Sequence, residues 1–280
     1  MRKLEEQFFK SLMILSTAII IGSFFLIVYT IFKNGLPAMN WDMVSRIPEG
    51  GFYIGKEGGV LNAIVGSLYI AGGSAILALF ISIPIVIYIN VYLKKNSFFG
   101  NIVRLSFDVL FGIPSIVYGA FGFTIMIYFG LKASLFGGLI AATLLVIPIM
   151  VRTIDEVMIN VPKEMLEAIY SLGATRFESI GILLRQTAPG VLTAILLSFG
   201  RAIGDVASVM FTAGFSDNIP TSLSSPAPTL PLAVFFQLSS PMEEVQARAY
   251  ASALILTIIV LTISITARII TKRFSKNKIV

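Results

Sequence analysis

Six stretches of this chain stay apolar for long enough to cross a membrane, and short polar loops separate them. They run about Leu12 to Phe32, Asn62 to Tyr92, Leu105 to Phe129, Leu135 to Met150, Pro189 to Ala213 and Ala249 to Ile270. None alternates apolar and polar positions as a barrel strand does, so each predicts a helix that satisfies its own backbone. The second is long for one crossing and predicts a tilt or an extension beyond the bilayer. The first is too long for the apolar part of a signal peptide and has no small-residue cleavage site, so it predicts an uncleaved span.

One segment breaks the pattern. Glu167-Ala168-Ile169-Tyr170-Ser171-Leu172-Gly173, with the run Ala174 to Val191, is a polar island between the fourth and fifth stretches. Pro162 suits a first helical turn, Glu164 and Glu167 follow near its positive end, and Gly173 offers a break before a second helix. Met165, Leu166, Ile169 and Leu172 recur at helical spacing and predict one face turned to the membrane domain or to a partner. A helix lying on lipid headgroups is the plainer reading. Glu164, Glu167 and Glu178 oppose it, since such helices carry mostly basic polar faces. On the other side, Gly35 to Gly59 carries the single tryptophan, Trp41, read as a headgroup anchor. Phe215 to Ala247 is long, and Pro220, Pro226, Pro228 and Pro231 exclude a continuous helix early in it. The apolar patch Leu230 to Leu238 predicts a short helix against the outer membrane face. No internal repeat is visible.

Composition agrees with the pattern: of 280 residues 56% are hydrophobic and 13% charged, with mean hydropathy +0.89. So little polar surface excludes a soluble domain and sets the class as an all-α integral membrane protein, a single transmembrane domain over residues 1–280. Arg2, Lys3, Lys10, Lys94, Lys95, Arg104, Arg152, Lys163, Arg176, Arg185, Arg268, Lys272, Arg273, Lys276 and Lys278 fall on one side of the six spans. Only Lys33, Arg46, Lys56, Lys132 and Arg248 fall on the other, which puts both termini and the Glu167 loop in the cytoplasm. The net charge of +6 is therefore mostly topology, and no basic soluble surface exists for nucleic acid. Lipid is the expected solvent.

Chemistry is sparse. The chain has no Cys and no His, which removes thiols, the commonest general base and the commonest metal ligand, so neither a cofactor nor an enzyme is expected. No phosphate-binding loop of the G-x-x-x-x-G-K-[ST] form occurs; the Gly55-Lys56 pair is followed by Glu57. ATP cannot bind by that route, so any driving energy would come from a partner or from an ion gradient. Arg201 and Asp205 fall near the middle of the fifth stretch, one helical turn apart. At that depth they are either a mutually neutralising structural pair, or Arg201 offers its planar fork to an anion in transit while Asp205 holds it. Arg152 ends the fourth stretch and reads first as a cytoplasmic-side anchor, with Asp155 and Glu156 neutralising that helix end. Asp108 reads as a snorkelling or interhelical polar contact, and Gly112, Pro114, Gly119 and Gly122 as sites of close approach or a kink.

These residues resemble a known family. Glu167-Ala168 with Gly173-Ala174-Thr175 resembles the EAA loop of binding-protein-dependent ABC importers, with Ile169 and Gln186 departing from the usual pattern. Arg201-Ala202-Ile203-Gly204-Asp205-Val206-Ala207 and Phe211-Thr212-Ala213 are similar to the R-x-x-G-E-T-A…FTA stretch of the phosphate permeases among them. Here Asp205, Val206 and Ser208 replace Glu, Thr and Pro. Leu230-Pro231 to Gln237, Gln246-Ala247-Arg248-Ala249 and Ile113-Pro114-Ser115-Ile116-Val117-Tyr118-Gly119 extend the likeness along most of the chain.

The resemblance implies a type I ABC importer (MetI-like) permease fold of six transmembrane helices, with residues 60–270 as its core. It implies a path between two permease subunits, an ATP-binding cassette ATPase dimer docked on residues 161–185, and an extracytoplasmic phosphate-binding protein. Glu164, Glu167, Ala168, Gly173, Ala174 and Thr175 are the implied ATPase contacts, and Arg201 with Arg152 the implied phosphate contacts. The rivals are an importer of another small oxyanion or polar nutrient, and a gradient-driven secondary transporter, whose paired interrupted helices and inverted repeat are not visible.

Overall fold

A computed structural model of the chain describes residues 2–49, 57–94 and 97–275. The Gly55-Lys56 pair, Lys95, Lys276 and Lys278 lie outside the described residues. The described helices are α1 (Arg2–Gly35), α2 (Trp41–Ser45), α3 (Leu61–Ile87), α4 (Phe98–Phe111), α5 (Ser115–Tyr128), α6 (Leu135–Ile159), α7 (Lys163–Ser171), α8 (Arg176–Ile203), α9 (Leu230–Leu238) and α10 (Glu243–Ser275). Strand structure among the described residues is one antiparallel two-residue pairing, Pro48–Glu49 with Glu57–Gly58.

Five of these helices, α1, α3, α6, α8 and α10, are each long and apolar enough to cross a membrane; α4 with α5 makes a sixth crossing only as a bent pair. The third stretch is therefore not one helix. It turns through 98° between Phe111 and Ser115. Pro114 supplies no N–H, and its ring keeps the preceding residue out of helical geometry, so the break falls where Gly112 and Pro114 sit. The Tyr118 hydroxyl fastens the elbow from α5 by donating to the Leu110 carbonyl of α4 at 2.7 Å.

The fifth stretch is shifted from its expectation. Its helix starts at Arg176, because a capping box seals it there: the Thr175 side chain accepts from the Glu178 N–H while the Glu178 carboxylate accepts from the Thr175 N–H. It runs through Pro189, tolerated within a packed bundle, and stops at Ile203. Past Gly204 the Asp205 carboxylate takes the Ser208 N–H at 2.8 Å and starts a separate turn, as short acidic side chains do when they compete with a helix. Arg201 and Asp205 thus stand at a helix end rather than mid-helix.

The second stretch is continuous as expected, and α3 ends in a π-helical turn over Tyr88–Tyr92. Helix α6 is the centre of the bundle, packed by α3, α8, α5 and α4. Ala71, Ala78, Val146, Met150, Ile154 and Ala194 are buried where α3, α6 and α8 meet. Two further apolar clusters take in residues of α9, and they change the expectation for it. Its Leu230, Pro231, Leu232 and Ala233 are buried against α3 and α10 rather than laid on the membrane face. The Leu230 N–H donates to the Ser67 hydroxyl of α3 at 2.8 Å, and the preceding chain crosses α3 at Gly66. Helix α1 stands apart, with none of its most apolar window buried within the chain. Its C-terminal Gly35 meets the Tyr250 backbone of α10.

Candidate functional site

The elbow between α4 and α5, the C-terminal half of α6 and the end of α8 line a cavity of about 480 Å³. Arg152 from α6 and Arg201 from α8 both line it, with Tyr118, Thr153 and Glu156. The two arginines are far apart in sequence but share one wall. Arg201 pairs with Asp205 at 2.9 Å, and the two side chains differ sharply in exposure, 43% against 4%. Asp205 is committed on both oxygens, to Arg201 and to the Ser208 N–H. The guanidinium keeps further N–H donors for the cavity. The pairing read from the i,i+4 spacing is present.

Arg152 is not a plain headgroup anchor. It pairs with Asp108 of α4, and its guanidinium lies 5.9 Å from the centre of the Phe111 ring one turn further along that helix. Asp108 is thereby an interhelical contact, as its position in an apolar stretch predicts. Arg152 also borders a second cavity, of about 350 Å³, toward the α6 C-terminus, lined by Arg104, Asp108, Asp155, Glu156 and Asn160 among others. The guanidiniums of Arg152 and Arg201 let the 480 Å³ cavity suit a small oxyanion with part of its hydration shell, whereas three carboxylates, Asp108, Asp155 and Glu156, face Arg104 and Arg152 in the other.

Asp155 departs from the expectation that it merely neutralises a helix end. It is buried at 7% exposure and accepts from Arg104 of α4 through both oxygens, at 2.8 and 3.1 Å. Asn90, in the π-helical turn after α3, donates to Asp155 at 2.6 Å and accepts from Arg104 at 3.2 Å. This network ties three helices together and was not visible in sequence, because 51 and 65 residues separate its members. Arg104 and Asn90 also line a cavity of about 300 Å³ that Leu166 of α7 reaches.

Helices α7 and α8 meet at Gly173, whose φ of 82° favours glycine. Glu164, Glu167, Ala168, Gly173 and Thr175 are exposed, and Ala174 is half-buried. Of the spaced apolar residues, Ile169 is buried and Met165 and Leu166 half-buried, whereas Leu172 is 89% exposed. Leu172 points away from the membrane domain because it follows the last turn of α7. Phe177, in the first turn of α8, is exposed as well. The Arg176 guanidinium donates to the Tyr92 carbonyl at 3.1 Å and ties this unit to the end of α3.

Residues 82–279 match the family described as binding-protein-dependent transport system inner membrane component. The phosphate transport system permease protein PstA of Haemophilus influenzae is 31% identical over 258 residues, covering 90% of this chain and 89% of that protein. The PstA of Xylella fastidiosa (strain Temecula1) is 34% identical over 255 residues, with coverages of 89% and 85%. The PstA of Pasteurella multocida is 31% identical over 281 residues, with coverages of 98% and 97%. Among solved structures, the inward-facing MetNI methionine ABC transporter shares the fold at TM-score 0.62 and 16% identity, covering 77% of this chain and 95% of that one. A bacterial ABC transporter involved in alginate import aligns at TM-score 0.53 and 13% identity, with coverages of 92% and 96%. The all-α, type I importer permease architecture and the multi-pass inner-membrane setting follow. The chain belongs to the binding-protein-dependent transport system inner membrane component family, among its PstA permeases.

Proposed function

We propose that this chain is one permease subunit of an ATP-driven importer that passes inorganic phosphate into the cytoplasm. The observation that carries this reading is the meeting of Arg152 and Arg201 in one cavity, in a chain about a third identical to PstA permeases over most of its length. Phosphate meets the free N–H donors of Arg201 and then those of Arg152. Asp205 and Asp108 keep each guanidinium oriented and offset its charge, so binding stays weak enough for the ion to leave. The whole chain acts as one permease domain, with both termini cytoplasmic by its Lys and Arg asymmetry.

Residues 161–185 form the contact for an ATPase dimer. Glu164, Glu167, Ala168, Gly173, Ala174 and Thr175 supply the docked surface, and exposed Leu172 and Phe177 give it an apolar centre. A second, PstC-like permease subunit closes the path, and an extracytoplasmic binding protein delivers phosphate. The chain itself hydrolyses no ATP.

The test is uptake of labelled phosphate by membranes carrying the assembled transporter. Arg201→Gln is expected to abolish uptake while the subunit still reaches the membrane and assembles. Asn at 205 can still accept the Ser208 N–H, so Arg201→Gln with Asp205→Asn removes both charges and keeps the turn. A purely structural pair predicts recovery in that double variant. A persistently dead double variant supports anion contact, and recovery refutes it.

A further inference from the structure

We infer that Asp108 sets the affinity and the release of the transported anion by competing with it for Arg152. This rests on the reading of Arg152 as part of the anion path. Three features of the site carry it. Asp108 and Phe111 sit three residues apart on α4, so one face of that helix presents a carboxylate and an aromatic ring together to Arg152. The pair is half exposed, with side-chain exposures of 54% for Arg152 and 49% for Asp108, so it lies open to an incoming anion and to water. Arg152 borders both cavities, whereas Asp108 borders only the one toward the α6 C-terminus.

That asymmetry gives Asp108 a direction. An anion approaching from the Arg201 side meets Arg152 before it meets Asp108. To bind Arg152 fully it must displace a carboxylate that stands ready to return. When the carboxylate returns, the anion loses its counter-charge and leaves. Glu156 reinforces the effect: it lies one turn beyond Arg152 on α6, lines both cavities and forms no ion pair among the described residues. Asp205 cannot play the same part for Arg201, because it is buried and committed to the Ser208 N–H. The arginine held by an open carboxylate is the releasing one.

The transporter, purified intact through a tag on this chain, returned to liposomes and supplied with ATP and its extracytoplasmic binding protein, is assayed for initial rates of labelled inorganic phosphate uptake. Asp108→Asn is expected to lower KM and turnover together, each about fivefold, the size expected for losing a half-exposed charge pair. Asp108→Ser should do the same, and Asp108→Glu should stay near wild type. Asp108→Asn in an Arg152→Gln background should add nothing further, since the arginine is then absent. Recovery of the intact complex is measured for each variant, so a folding loss is separated from a kinetic one. Wild-type KM and turnover in both Asp108→Asn and Asp108→Ser, with Arg152→Gln impaired, would overturn the role of Asp108 alone. Lower turnover with unchanged KM would also overturn it, because that pattern fits a structural tie. Unimpaired Arg152→Gln would remove Arg152 from the path and this inference with it. A wild-type complex that takes up no phosphate refutes both readings.

Discussion

At the scale of single residues, two glycines set how closely the segment between α8 and α9 lies on the bundle. A Cβ at Gly66 would stand 1.9 Å from the Pro228 carbonyl oxygen, and one at Gly119 would stand 2.5 Å from that of Ala207. Both obstacles are backbone, so neither can rotate aside. Gly66→Ala should cost about 1–3 kcal/mol through forced backbone movement and lower the detergent-solubilised melting temperature. Gly72→Ala, which meets nothing within 4 Å, is the control and should leave it unchanged. Gly119 stands out in the sequence as a small residue near a proline elbow. Gly66 does not, since its partner lies far along the chain. The Arg201–Asp205 pair is legible for the opposite reason, because its spacing alone brings the charges together. What hydropathy misses is that the helix has already stopped between them: Asp205 draws the Ser208 N–H, and an apolar run continues past that stop without a break in composition.

At the scale of elements, the start of α8 shows what controls a boundary. The apolar run begins near Pro189, yet the helix begins at Arg176, where Thr175 and Glu178 satisfy each other's N–H groups. Apolarity reports where lipid or core lies, whereas caps report where the backbone changes state. Thr175→Ala should weaken the first turn of α8 by about 1 kcal/mol, seen as faster amide exchange over residues 176–179 in the purified subunit. Unchanged exchange would mean that packing alone holds this end. The same unit carries the proposed ATPase contact, and Glu167→Lys should leave membrane insertion intact while preventing recovery of the ATPase in a pull-down. Normal recovery would remove Glu167 from that interface. The exposed acidic face of α7 was readable from its spacing. The outward turn of Leu172 was not, because it depends on where α7 ends.

For the whole molecule, the Arg104–Asp155–Asn90 network is the one described tie that joins α3, α4 and α6 by charge rather than by apolar packing. Breaking it on one side strands a buried carboxylate, so Arg104→Gln should destabilise the solubilised subunit by roughly 3 kcal/mol. Arg104→Met with Asp155→Leu, which leaves no charge behind, should recover most of that melting temperature. A double variant as unstable as the single would show that shape, not charge, holds the junction. The sequence shows the helices but not this tie, since nothing in local composition marks Arg104 as different from the other lysines and arginines near helix ends. Arg152 has a consequence of another kind. It belongs to the walls of both cavities, and a second anion beside it would find its charge already balanced and would meet the repulsion of the first. The cavities therefore cannot fill independently. Equilibrium binding to the purified complex, freed of the binding protein, should saturate at no more than one phosphate for each copy of this chain, and transport should show no cooperativity in phosphate, because what looks like a queue of two places has a single seat.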